Sequence, residues 1–163
     1  MPRGSIEDTL RYDFDTEKAF SYRGLTMGQT VKHLAKFTSD IWQIHPFLEG
    51  NTRATAVFMI QYLKSLGFQV NNDMFALHSW YLRNALVRAN YNDFKNNIYA
   101  TTEYLEQFFG NLLLGEGNEL KNRYMHLDYS GGTVREEEGW MQYQSACYKA
   151  AKCTDGTYEQ AEE

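Results

Sequence analysis

The stretch His45-Pro46-Phe47-Leu48-Glu49-Gly50-Asn51-Thr52-Arg53 separates two helical patterns, and the fold is read outward from it. Before it, Val31, Leu34, Ala35, Thr38, Ile41 and Trp42 fall at helical spacing on one face. Thr26 has the chemistry of an N-cap, and Gln29, three residues later, completes a capping box. The spacing therefore predicts an amphipathic helix over 27–43. Pro46 biases the residue before it away from helical dihedrals, so His45 should sit where that helix gives way to a loop. After the stretch, Ala54, Ala56, Val57, Phe58, Ile60, Tyr62 and Leu63 predict a second helix over about 52–66. It is apolar almost all round, which predicts the central buried helix. Gly67 is its natural stop.

Further out the signals are more local. Residues 6–24 are polar and aromatic without a clean period and predict a short helix and a connecting loop. Asn71-Asn72-Asp73 is a turn cluster that can cap a helix over about 74–90, ended at Asn90-Tyr91-Asn92-Asp93. Ile98, Thr102, Leu105, Phe108, Phe109 and Leu112 predict a long helix over about 95–114, stopped by Gly115, with a shorter helical stretch over 118–126. Beyond Asp128, Ser130-Gly131-Gly132 and Glu136-Glu137-Glu138-Gly139 change the character of the chain. The expected organisation is one domain over 1–128, with its core at about 27–114, and a polar, mobile tail over 129–163. Only Pro2 and Pro46 could interrupt a helix, and the fold class is all-α.

Bulk properties narrow the function. The net charge of −5 argues against broad nucleic-acid backbone binding, which needs clustered Lys and Arg, but not against one small nucleotide. Cys147 and Cys153 near the C-terminus carry no metal or disulfide spacing and read as reduced bystanders. No apolar run approaches the ~18 residues of a membrane span, and no signal-peptide pattern is seen. The expectation is a cytoplasmic protein with neither membrane nor nucleic acid as partner.

The chemistry of 45–53 follows from its place before a helix. The first backbone N–H groups of a helix lack internal partners, and with the helix dipole they attract an anion. Gly50 lets a phosphate approach the backbone, and Asn51 and Thr52 suit the N-cap region. Arg53 adds a permanently charged fork. Glu49 beside a polyphosphate calls for a cation between them, and Mg²⁺ typically uses one or two carboxylates plus substrate phosphates. An imidazole is the side chain suited to general-base work near neutral pH, so His45 can take a proton from an incoming hydroxyl. Base, metal carboxylate, anion cradle and Arg are the parts of phosphoryl or nucleotidyl transfer.

The order of these residues resembles the Fic (Fido) motif, His-x-Phe-x-(Asp/Glu)-Gly-Asn-(Gly/Lys)-Arg-x-x-Arg; here it runs from His45 to Ala56. The resemblance implies a Fic-type helical bundle and a protein adenylyltransferase that moves AMP from ATP to a Ser, Thr or Tyr hydroxyl of a target protein. It implies that His45 deprotonates the hydroxyl, Glu49 helps hold Mg²⁺, and Gly50, Asn51 and Thr52 form the phosphate hole with Arg53 beside them. Phe47 would anchor the loop in the core, and Asn90 would lie near the base. Thr52 departs from the usual Gly or Lys, and Ala56 from the second Arg. The loss at Ala56 leaves open another phosphate-containing group, or a non-catalytic interaction module. The family's β-hairpin flap has no pattern in 1–26, which leaves it outside this chain or shortened. The inhibitory pattern Ser/Thr-x-x-x-Glu-(Gly/Asn) is met by Thr133 and Glu137 but not by Glu138, which favours restraint by a separate inhibitor protein or by a segment outside this chain.

The remaining candidates read as structural. His33 is expected on a solvated face, and Trp42, Phe58 and Trp80 in the core. Arg83 and Arg88 are expected as surface charges. His45 and Glu49 lack a nearby third ligand for zinc, and His78 and His126 lack metal partners at suitable spacing.

Overall fold

The computed structural model describes residues 3–125. Among the described residues six α-helices follow one another: α1 (Arg3–Ala19), α2 (Met27–Gln43), α3 (Asn51–Ser65), α4 (Asp73–Leu77), α5 (Ser79–Asn90) and α6 (Glu103–Leu114). Single 3-10 turns lie at Phe94–Asn96 and Asn122–Met125. No strand forms among the described residues; the sole pairing is an isolated bridge between Asp93 and Ile98. The fold is all-α, as the periodicity predicts. None of the described helices is long and apolar enough to cross a membrane.

α2 is the central helix. Thr26 Oγ1 accepts from the Gln29 amide, and the Gln29 side chain accepts from the Thr26 amide, so the capping box forms. Nine residues of α2 are buried, against five of α3, and α2 packs against α1, α3, α5 and α6. The expectation that 52–66 would be central is therefore corrected. Val57 is exposed, and α3 buries one face through Thr55, Met59, Ile60 and Leu63. Its small and aromatic residues look apolar in sequence, yet Ala54, Ala56 and Phe58 are only partly covered. Leu34, Ala35, Met59, Leu63, Ala85, Leu86, Leu105, Phe108 and Phe109 form the fully enclosed centre. Burying each large side chain contributes roughly 1.5–3 kcal/mol.

α1 is longer than the short helix expected. Ile6, Leu10 and Phe14 recur every fourth residue, and all three are half-buried. Phe14 makes edge contacts with Phe37 and Phe58, tying α1 to α2 and α3. One turn further on, the Glu17 carboxylate is buried. It accepts hydrogen bonds from the Tyr22 hydroxyl at 2.5 Å and from the Tyr62 hydroxyl, and it pairs with His33 Nε2 at 2.6 Å. His33 also stacks on Phe20, with centroids 3.5 Å apart. It is thus not the solvated residue expected, because its partners come from other elements and carry no periodic signal.

Two other boundaries move. The helix expected over 74–90 breaks at His78 into α4 and α5. The helix expected from 95 starts at Glu103. Asp93 accepts from the amides of Lys95 and Asn96, and Asn97 adopts a left-handed φ of 56°, so turn chemistry overrides the helical spacing of Ile98 and Thr102. Gly67 and Gly115 stop α3 and α6 with positive φ, as expected. Among the described residues of the 118–126 stretch, the helical part is the turn Asn122–Met125. The expectations for 129–163, including Cys147, Cys153, Glu136 to Glu138 and the Thr133–Glu137 spacing, lie outside the described residues, as does His126.

Candidate functional site

α2 ends at Gln43, and Ile44 caps it. His45 follows with φ 49°, in the left-handed region. Pro46 excludes the helical conformation there, as expected, but the backbone turns left-handed rather than extended. Among non-glycine residues His, Asn and Asp tolerate that region best. The His45 Nδ1 lies 3.2 Å from the Gln43 carbonyl oxygen. A carbonyl only accepts, so as a hydrogen bond this contact requires a proton on Nδ1, and in the neutral ring Nε2 then carries the lone pair. The His45 side chain is exposed, so Nε2 is available to an incoming hydroxyl.

The loop that follows has an exposed apex. Leu48 is fully exposed and Phe47 is 56% exposed. Phe47 therefore does not anchor the loop in the core. The anchor is Asn51, which is buried: its Oδ1 accepts from the Phe47 amide at 3.0 Å, and its Nδ2 donates to the Phe47 carbonyl at 2.8 Å. A side-chain amide can mimic a backbone turn in this way because it carries one donor and one acceptor.

Gly50 is the N-cap of α3, with φ 76°. A Cβ there would meet nothing within 4 Å, so the backbone angle alone demands glycine. No side chain caps α3, and the first helical hydrogen bond runs from the Ala54 amide to the Gly50 carbonyl. The amides of Asn51, Thr52 and Arg53 are the ones that open the helix. At this position, with the positive end of the dipole behind them, they can receive an anion. The side chains of Asn51 and Thr52 are engaged elsewhere, since Thr52 Oγ1 accepts from Trp42 Nε1 at 3.0 Å. What these two residues retain for an anion is their backbone. Arg53 is exposed in the first turn of α3, where a cation opposes the helix dipole.

Glu49 is exposed, immediately before Gly50. Among the described residues no cluster of three His, Cys, Asp or Glu could hold a metal by itself. A single hard carboxylate suits Mg²⁺ only where substrate phosphates complete the coordination, and Glu49 beside the open end of α3 has that chemistry.

Among the described residues no hydrogen bond or ion pair joins the side chains of His45, Glu49 and Arg53. What links His45 to α3 is Trp42, whose ring packs on the imidazole in an edge arrangement with centroids 4.5 Å apart. Ala56, where the motif expects a second Arg, packs against the core. Asn90 donates to Ser39 Oγ and to the Leu86 carbonyl, both at 2.9 Å, which fixes the end of α5 against α2. Trp80 is exposed and carries Arg83 over its ring, so it is not a core residue. Arg88 is half-buried and donates to the Tyr99 carbonyl, so it is not a surface charge.

The family model described as Fic/DOC family matches residues 5–63, from α1 through most of α3. No curated protein and no solved structure matches the chain.

Proposed function

Because the chain carries a Fic domain of the Fic/DOC family, whose members typically transfer phosphate-containing groups, we propose that it moves AMP from ATP to a Ser, Thr or Tyr hydroxyl of a target protein. The observation that supports this most is the open N-terminus of α3 lying one short loop after an exposed histidine whose Nδ1 faces the Gln43 carbonyl. In the proposed step the target hydroxyl oxygen bonds to the α-phosphorus. The bond from that phosphorus to the oxygen bridging toward the β-phosphate breaks, and pyrophosphate leaves with the electron pair. The hydroxyl proton passes to His45 Nε2. The amides of Asn51, Thr52 and Arg53, with the Arg53 guanidinium, hold the phosphate oxygens, and Gly50 gives them room. Glu49 would be the protein's ligand to Mg²⁺, which supplies charge neutralisation on the phosphates when bound. Asn90 is the residue proposed near the base, and a separate inhibitor protein is proposed as the restraint.

Ala56 favours a second reading, since one phosphate contact of the motif is missing. The chain would then transfer another phosphate-containing group, or bind without turnover. One experiment separates these. The chain is incubated with lysate and ATP carrying label on the α- or the γ-phosphate, beside His45→Asn, which suits the left-handed backbone. Label from the α-phosphate alone, lost in the variant, supports AMP transfer. Label from the γ-phosphate, or none from any nucleotide, refutes it.

A further inference from the structure

Trp42 is buried at the end of α2, yet it touches both halves of the candidate site. Its Nε1–H donates to Thr52 Oγ1 at 3.0 Å, in the first turn of α3. Its ring packs against the His45 imidazole in an edge arrangement, with centroids 4.5 Å apart and planes at 66°. Its own carbonyl accepts from the His45 amide at 3.2 Å. The imidazole is thus held from two sides, by the indole and by the Gln43 carbonyl on Nδ1. A glycine at position 52 would offer the indole no acceptor, and a buried indole N–H without one is costly. The threonine that departs from the motif is therefore the residue Trp42 uses.

We propose that Trp42 is a positioning residue, orienting the His45 ring and, through Thr52, setting the phosphate-binding turn of α3 against it. This rests on the reading of His45 and the α3 amides given above. The indole separates two functions by its atoms. The N–H acts on the phosphate turn, and the ring acts on the imidazole.

The test uses the full chain with Trp42→Phe, Trp42→Leu, Thr52→Val and Thr52→Ser. Trp42→Phe and Thr52→Val each lose the same bond. Each should raise the KM and Kd for ATP by up to about tenfold, the size of one hydrogen bond. The double variant should be no worse than either single one, and Thr52→Ser should recover most of the loss. Trp42→Leu should in addition lower kcat and move the His45 ring proton resonances measured without nucleotide. Additive losses in the double variant, or unchanged ATP affinity in both single variants, would overturn the proposal. So would His45 resonances that stay in place in Trp42→Leu. If that variant does not fold, Trp42→Phe and Thr52→Val decide through ATP affinity and the double variant. If the parent chain transfers nothing from any nucleotide, the functional reading fails, while the nucleotide-free His45 resonances still decide the role of Trp42.

Discussion

Replacing Asn51 with Ala should open the 45–50 loop while leaving the bundle folded. Asn51 holds Phe47 through two hydrogen bonds, at 3.0 and 2.8 Å, and Phe47 is 56% exposed and contributes little anchoring of its own. Each neutral bond contributes about 1 kcal/mol net, so the closed loop should lose about 2 kcal/mol. That corresponds to roughly a 30-fold rise in the open population. The Phe47 amide should therefore exchange with solvent roughly 30-fold faster, if exchange follows local opening. The thermal midpoint should fall by about 4–8 °C, given about 2–4 °C per kcal/mol at this chain length. Asn51→Asp sharpens the test. It keeps the acceptor for the Phe47 amide but sets a carboxylate oxygen against the Phe47 carbonyl. It also gains about 0.3–1 kcal/mol as an anion in the first turn of α3. Phe47 exchange should accelerate in this variant while the midpoint falls less. The assays are amide exchange followed by NMR and thermal unfolding followed by circular dichroism. Phe47 exchange at the parent rate in both variants would refute the clamp.

The Glu17 cluster gives two further expectations. Glu17→Gln removes a buried charge that three donors share, and should cost about 2 kcal/mol, lowering the midpoint in thermal unfolding by about 4–8 °C; an unchanged midpoint would count against the cluster. Alkaline stability should also respond. Burial first, and then the hydrogen bond to Glu17, push the Tyr62 hydroxyl from 10.0 up to about 12, and burial followed by the same partner pushes Tyr22 higher still. A folded value above the unfolded one means stability is present below pH 10 and lost as pH rises through about 12. Tyrosinate absorbance should therefore rise together with the loss of helical signal, and the transition should move part of the way back toward 10.0 in Glu17→Gln.

Local signals were legible in the sequence and long-range ones were not. Thr26 and Gln29 form their capping box because both partners lie within one turn. Pro46 acts on its neighbour and ends α2 where expected. α1 could have been found from Ile6, Leu10 and Phe14 alone, but the exposed Tyr12 and the loop residue Phe20 blur that period. Ile98 and Thr102 fit a helix in spacing, and the turn chemistry of Asp93 and Asn97 prevailed. The pairing of His33 was hidden because Glu17 lies on another helix. At the site, the positions of Gly50 and of the α3 start were readable from helix-end chemistry. The exposure of Phe47 and the double contact of Trp42 depend on how the loop folds back, which no spacing encodes.

The most direct measurement is a titration of the ¹⁵N-labelled chain with ATP and Mg²⁺, followed at each backbone amide. Phosphate held at the α3 N-terminus should move the amides of Gly50, Asn51, Thr52 and Arg53 most, with a smaller response when Glu49 is replaced by Gln. Saturable shifts centred away from residues 45–53, or no shift at millimolar ATP, would contradict it.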